Sequence, residues 1–383
     1  MPVAWLPTDP HCFARPPPPY TVCMNSLIPV SAIKGRGTAT RLASRFESVA
    51  RDEYDDGWGT LEDGAANGPP PPATTVSFED ARSVISHTSS PDIYFEQSLN
   101  PYRGCEHGCV YCFARPTHSY LGLSPGLDFE TQLIAKRNVV EVLRAELAGR
   151  AYRPRSLVLG TATDCYQPIE RELRLTRGVI EVLSETQHAF ALVTKSSAVE
   201  RDLDLIAPMA AQRLAAVYIT MTTLDAALSR QLEPRAAAPH RRLRTIRALA
   251  ESGIPVGVSV APQIPFINDD MEQVLEAARA AGATRAFYTV LRLPWEVAPL
   301  FREWLALHYP QRADRVMARV QEMRGGKDYD SDFGTRMKGQ GTWAALIHQR
   351  FEKTCRRLGL NREKVALDHS AFRRPSGGQQ ALF

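Results

Sequence analysis

From about residue 75 onward, apolar and polar positions alternate between two periods. "IYFEQ" (93–97) has the make-up of a strand and runs into a loop. Val139, Val142, Leu143 and Leu147 then recur at helical spacing. "SLVLGT" (156–161) is an apolar strand run, followed by a helix through Val179, Ile180 and Leu183. "AFALVT" (189–194) predicts the third strand, and Ser197 with Glu200 predicts a capping box that starts the next helix. "AAVYIT" (215–220) is a fourth strand, and Leu243, Ile246 and Leu249 mark a later helix. "PVGVSVA" (255–261) precedes a helix through Val274, Leu275 and Ala278, and "RAFYTV" (285–290) is the sixth strand.

Strands alternating with helices imply parallel β-α units with right-handed crossovers. Six units, nearly continuous apolar strands and no G-x-G-x-x-G after the first strand favour an α/β fold of one kind. It is a partial (β/α)6 TIM-like barrel rather than a dinucleotide-binding sheet. The barrel is assigned to residues 75–295. Residues 1–74, bracketed by "RPPPPY" and "GPPPPA", read as a Pro-rich, largely disordered extension. Within it, "KGRGTATR" (Lys34 to Arg41) reads as a solvated basic tail. Residues 296–383 turn helical and polar, with a Gly-rich loop at 324–341 and a terminal tail, "RRPSGGQQALF".

Composition adds bounds. A chain of 383 residues with 44% hydrophobic side chains can bury a sizeable core. A net charge of +4 permits an anionic partner without requiring one. No run of 18 apolar residues is present, so no membrane span is expected. The first twenty residues lack a continuous apolar stretch, so no secretory signal is expected either. Seven cysteines, an odd number with three clustered, argue against a disulfide framework and for a reducing, cytoplasmic setting.

The cluster lies in "NPYRGCEHGCVYCFARPTH" (100–118), where Cys105, Cys109 and Cys112 are spaced C-x3-C-x2-C. Thiolates are soft ligands for zinc, copper(I) or iron–sulfur clusters. Structural zinc is normally closed by four ligands. Cys12, Cys23, Cys165 and Cys355 are isolated in the sequence, leaving His107 or His118 as a conceivable fourth. Three thiolates on one loop suit a four-iron cluster with one iron left open. A zinc knuckle and unliganded thiols remain the alternatives. Both histidines otherwise read as ordinary loop residues.

Polar residues coincide with the predicted strand ends: "TATD" (161–164), "TK" (194–195), "TMTT" (220–223) and "APQ" (261–263), with Leu291 and Arg292 after the sixth. Turn chemistry alone favours such residues there. Lys195 stands apart, because it precedes a predicted helix N-terminus, where the macrodipole disfavours a cation. An anionic ligand would offset that. Glu233 and Arg235, in "LEPRA", read as a surface ion pair, and Ser259 as a packed residue. Arg356, Arg357, Arg373 and Arg374 read as a solvated basic face.

With Tyr111 immediately before the third cysteine, the motif resembles the radical S-adenosylmethionine (radical SAM) superfamily. The wider "SLNPYRGCEHGCVYCFARPTH", with "GTATDCYQPIE", "LTR", "VTKS" and "APQIPFIND", is similar to a branch related to spore photoproduct lyase. "GRGT" (35–38) and "RFES" (45–48) extend the similarity upstream. The resemblance implies a 4Fe-4S cluster on Cys105, Cys109 and Cys112, and S-adenosyl-L-methionine chelated to its open iron. It implies lyase-like radical chemistry, and an electron donor such as flavodoxin or ferredoxin. It also points Lys195 at the cofactor carboxylate and Thr163 and Asp164 at its ribose or amino group. Tyr111, Thr222 and Gln263 complete the implied cofactor-binding set. Lyase-like proteins carry a hydrogen-donating cysteine ahead of the shared aspartate, where this chain has Thr161. Cys165 is therefore a candidate displaced donor, weighed against a small buried hydrophobe. The substrate implied is a nucleic-acid base. A protein, peptide or metabolite target, and a zinc-stabilised nucleic-acid-binding module, are the competing functions.

Overall fold

A computed structural model describes residues 31–47, 72–363 and 366–375. The strands are β1 (Thr75–Glu79), β2 (Ile85–His87), β3 (Gln97–Leu99), β4 (Tyr102–Arg103) and β5 (Gln132–Lys136). They continue with β6 (Leu157–Leu159), β7 (Phe190–Thr194), β8 (Ala215–Thr220), β9 (Val256–Gln263) and β10 (Arg285–Val290). The main sheet has seven strands in the order β10-β9-β8-β7-β6-β3-β2. Strands β3 and β6 to β10 are parallel, and β2 is antiparallel at the edge. The six parallel strands thus lie in chain order, as successive β-α units require. Among the described residues no strand pairing joins β10 to β2, so the sheet is open and the expected barrel holds for strand order, not for closure.

Parallel strands carry helices on a face and must be apolar along their length. Leu157, Leu159, Phe190, Leu192, Val217, Ile219, Val258 and Val260 are all fully buried, in one core with Val179, Ile180, Leu183, Ile246, Leu249, Val274 and Leu275. The helices between the strands run at Val139–Ala148, Leu175–Glu185, Leu203–Ala211, Pro239–Glu251 and Met271–Ala280.

Four expectations change. The first main-sheet strand is Gln97–Leu99 rather than 93–97, and Tyr94 is fully exposed. A separate sheet, β1-β5-β4, had no counterpart in the sequence reading. The predicted capping box is displaced: Ser196, not Ser197, accepts the Ala198 N–H and opens a 3-10 turn (Ser197–Asp202). The described part of the amino-terminal extension is packed, because Arg36, Thr38 and Ser44 are buried, so its basic piece is no solvated tail. Most of the Pro-rich extension, and the tail beyond Pro375, lie outside the described residues.

The carboxy-terminal region serves the barrel. Helices Val297–His308 and Ala313–Glu322 bring Val297, Phe301, Trp304 and Val316 into one cluster with Cys109, Val110 and Tyr111. The 324–341 loop covers the edge of β10, where the Val290 N–H donates to the Met337 carbonyl at 3.0 Å. No helix among the described residues is long and apolar enough to cross a membrane.

Candidate active site: a pinned three-cysteine loop

The cysteine loop follows β4 and turns at Gly104 and Gly108, whose φ angles of +78° and +65° suit glycine. Cys105 and Cys109 are buried and Cys112 half-buried. The loop's backbone is held from several sides. The Cys105 N–H donates to the Phe129 carbonyl at 2.9 Å and the Val110 N–H to the Leu232 carbonyl at 3.2 Å. Gln167 accepts the Glu106 N–H at 2.9 Å and donates to the Gly104 carbonyl at 3.2 Å. Arg115, three residues past the last cysteine and fully buried, donates to the carbonyls of Cys109 (2.9 Å), Gly108 (3.2 Å), Pro125 (3.1 Å) and Gly126 (2.9 Å). Its charge is met by Glu130 at 2.5 Å, also fully buried. Glu130 in turn accepts the N–H groups of Gly37 (2.9 Å) and Thr38 (3.1 Å), which ties the amino-terminal piece to the loop.

Burial pushes the Cys109 thiol up to about 12 and that of Cys105 well above its ordinary value. Thiols held protonated in this way have little use as free nucleophiles. A bound metal, which takes the thiolate, reverses that preference. Among the described residues no three His, Cys, Asp or Glu side chains converge on a single-ion site. The donor set itself, three soft thiols on one loop, is of the kind that holds an iron–sulfur cluster.

The strand-end candidates gather beside this loop in part. Asp164, after β6, accepts from Thr194 Oγ1, from the Lys195 N–H (both 2.7 Å) and from the Tyr166 N–H (2.9 Å). Burial opposes its ionisation, but His107 and these donors outweigh burial and hold its carboxyl well below the ordinary range. His107 Nδ1 lies 3.2 Å from Asp164 Oδ2 yet is off line for a hydrogen bond. Nδ1 of His107 and of His118 lacks a hydrogen-bond partner, while His118 Nε2 lies 3.0 Å from the Gln132 carbonyl. Lys195 is half-buried, with Nζ 5.9 Å from the centre of the Tyr111 ring. Burial disfavours its charge, but Cys109, Glu233 and Asp164 outweigh that and raise its pKa. It makes no ion pair among the described residues.

Glu233 corrects the sequence reading most. It is buried, not at the surface, and it pairs with Arg242 instead of Arg235. Tyr111 and Thr222 donate their hydroxyls to it. Arg235 pairs with Glu106 at 2.9 Å, inside the cysteine loop. Thr163 donates to the Tyr102 carbonyl at 3.2 Å, and Gln263 to the Val260 carbonyl at 2.9 Å, so both are buried and locally engaged. Cys165 does not reach the rim. It is fully buried in the main core, where burial raises its thiol well above the ordinary value. That placement supports a packing residue and goes against a radical relay. Sequence reasoning missed Arg115, Glu130 and Arg242. Only "CFARP", with an arginine three residues past a cysteine, hinted at Arg115, and no local pattern marked Glu130 or Arg242.

Residues 99–278 match the family model described as the radical SAM superfamily. An uncharacterised protein of Mycobacterium tuberculosis is 39% identical over 224 residues, covering 58% of this chain and 66% of its own length. The chain thus spans about two thirds of that relative. An uncharacterised protein of Methanocaldococcus jannaschii is 24% identical over 235 residues, covering 60% of this chain and 82% of its own. Among solved structures, a spore photoproduct lyase variant is 15% identical, covers 75% of this chain and 81% of that one, and superposes with a TM-score of 0.49.

Proposed function

We propose that this chain is a radical SAM enzyme, lyase-like in its chemistry, acting on a nucleic-acid base. Cys105, Cys109 and Cys112 would hold a 4Fe-4S cluster, and Lys195, with Asp164, Thr163, Tyr111, Thr222 and Gln263 around it, would hold S-adenosylmethionine. The observation that carries this reading is the half-buried, unpaired Lys195 ammonium next to Cys109, in a domain of the radical SAM family. Bound together and reduced by an external one-electron donor, cluster and cofactor would supply reductive cleavage of the sulfonium to methionine and a radical able to abstract hydrogen from substrate.

The chain's own residues bind, orient and shield. Arg115 and Glu130 fix the loop carbonyls, so the three thiolates start from one geometry. Lys195 offers a charge-assisted hydrogen bond to a carboxylate. Asp164 stays ionised at neutral pH and accepts from the Lys195 N–H, which holds that residue in place. Glu233 balances Arg242 and orients the Tyr111 hydroxyl, leaving its ring beside Lys195.

Anaerobic reconstitution with iron and sulfide, followed by metal analysis and S-adenosylmethionine titration, tests the reading. It requires iron with matching sulfide, and cofactor affinity that depends on Lys195. Stoichiometric zinc with no iron would overturn it.

A further inference from the structure

We infer that the end of β10 is an oxyanion subsite for the phosphodiester of a single-stranded nucleic acid, formed by Arg292 and Arg336 beside the Phe113 and Phe333 rings, with the buried Arg324 adding its charge from behind. This rests on the radical SAM reading and names the substrate class for that site.

Three arginines share little negative charge here. Arg336 pairs with Asp92 at 2.6 Å, and among the described residues that is the cluster's one ion pair. Arg324 is 1% exposed, and four backbone carbonyls occupy its terminal nitrogens: Thr335, Arg336, Val290 and Leu291. Its Nε–H has no acceptor. Arg292 is half-buried, and its single polar contact is a 3.5 Å approach to the Met337 sulfur. Burial first, then the charge of Arg292, push Arg324 down to about 10. It stays charged at neutral pH, with the Asp330 carboxylate acting on it and Asp92 paired to Arg336, so Arg292 is the member without an ion pair among the described residues.

Two half-exposed rings flank the cluster. The Arg292 guanidinium sits 4.2 Å from the centre of the Phe113 ring, and that of Arg336 4.6 Å from the Phe333 ring. Phe113 directly follows Cys112, so the ring adjoins the cysteine loop. Flat rings alternating with guanidinium groups match the base–phosphate alternation of a single strand: rings stack bases and arginines take phosphates bidentately. A carboxylate ligand has no use for the rings. A strand laid here passes directly beside the cysteine loop.

The test is fluorescence anisotropy with the full, reconstituted chain and a labelled oligothymidylate. A methylphosphonate oligothymidylate, which lacks backbone charge, and an oligoglutamate peptide serve as comparison probes. Arg292→Gln should weaken oligothymidylate binding by about tenfold to a hundredfold. It should also lower the salt slope by about one phosphate contact. The methylphosphonate probe should show no such dependence. Phe113→Ala, a change at an exposed ring, should weaken both oligothymidylates about equally and gives a second reading if Arg292→Gln fails to fold. Unchanged oligothymidylate affinity in both variants would overturn the subsite, as would equal Arg292 dependence with oligoglutamate. Wild-type protein that holds no iron, yet binds oligothymidylate through Arg292, would sink the radical reading and support the subsite.

Discussion

The cysteine loop and the strand-end rim sit side by side but are built on opposite principles. In the loop, one buried arginine spends its hydrogen bonds on four carbonyls, and its charge is met by a buried carboxylate. At the rim, Lys195 and the Arg292 group carry charges with no full complement of partners. The first arrangement is complete without a ligand and fixes a geometry. The second is electrostatically incomplete and is suited to receive one. Rigidity is thus placed where the proposed cluster would need fixed ligand positions, and unmet charge where the proposed ligands would bind.

Breaking the complete side should cost most. Arg115→Ala leaves Glu130 buried without its cation and should destabilise the fold by roughly 3–5 kcal/mol, read as a lower denaturation midpoint together with lost iron loading. A midpoint within error of wild type would mean the pair is not the clamp. On the incomplete side, Lys195→Ala should weaken S-adenosylmethionine binding by about 1.5–3 kcal/mol and leave the cluster spectrum intact. Titration calorimetry showing equal affinity would remove Lys195 from the cofactor site. Gly37→Ala probes the seam between amino-terminal piece and loop. A Cβ there would lie 1.7 Å from the Gly108 carbonyl oxygen. Overpacking of about 1–3 kcal/mol should appear as faster hydrogen exchange at residues 31–47, with β6 to β9 unchanged. Exchange rates unaltered at both places would show that the seam tolerates the methyl group.

The smallest effects sharpen the comparison. Asp164 has a depressed folded pKa, so its contribution is present above the unfolded carboxylate value of about 4 and is lost as pH falls through its lower folded value. Asp164→Asn should flatten the acid limb of a stability–pH curve, and a parallel curve would contradict that. Cys165→Ala should cost about 1 kcal/mol by thinning the core, without changing product distribution. Altered products would restore a relay role.

Much of this was legible locally. Ala215–Thr220 coincides with the apolar run that predicted it, because a buried parallel strand must be apolar throughout, and Arg285–Val290 coincides too although only alternate residues of this edge strand are buried. The helices through Val179, Leu249 and Val274 followed from the 3.6-residue period. The cysteine spacing and its neighbours carried the radical SAM resemblance, which the match over residues 99–278 supports. What stayed hidden depends on distance along the chain. Arg36 bonds to the Glu130 carbonyl 94 residues away, and Arg45 pairs with Glu296 across 251. No period records such pairs, so a packed piece looked like a basic tail. Glu233 misled for the same reason, since its true partner is chosen by the turn back to Arg242 rather than by the nearby Arg235.

The central claim is that three thiols on this pinned loop hold a redox-active cluster that opens S-adenosylmethionine. Anaerobic incubation of reconstituted, dithionite-reduced protein with that cofactor, followed by chromatography for 5′-deoxyadenosine, tests it most directly. Wild-type protein should form 5′-deoxyadenosine and methionine in equal amounts. Cys105→Ala, Cys109→Ala and Cys112→Ala should each form none. Equal 5′-deoxyadenosine from a variant lacking all three thiols would contradict the account.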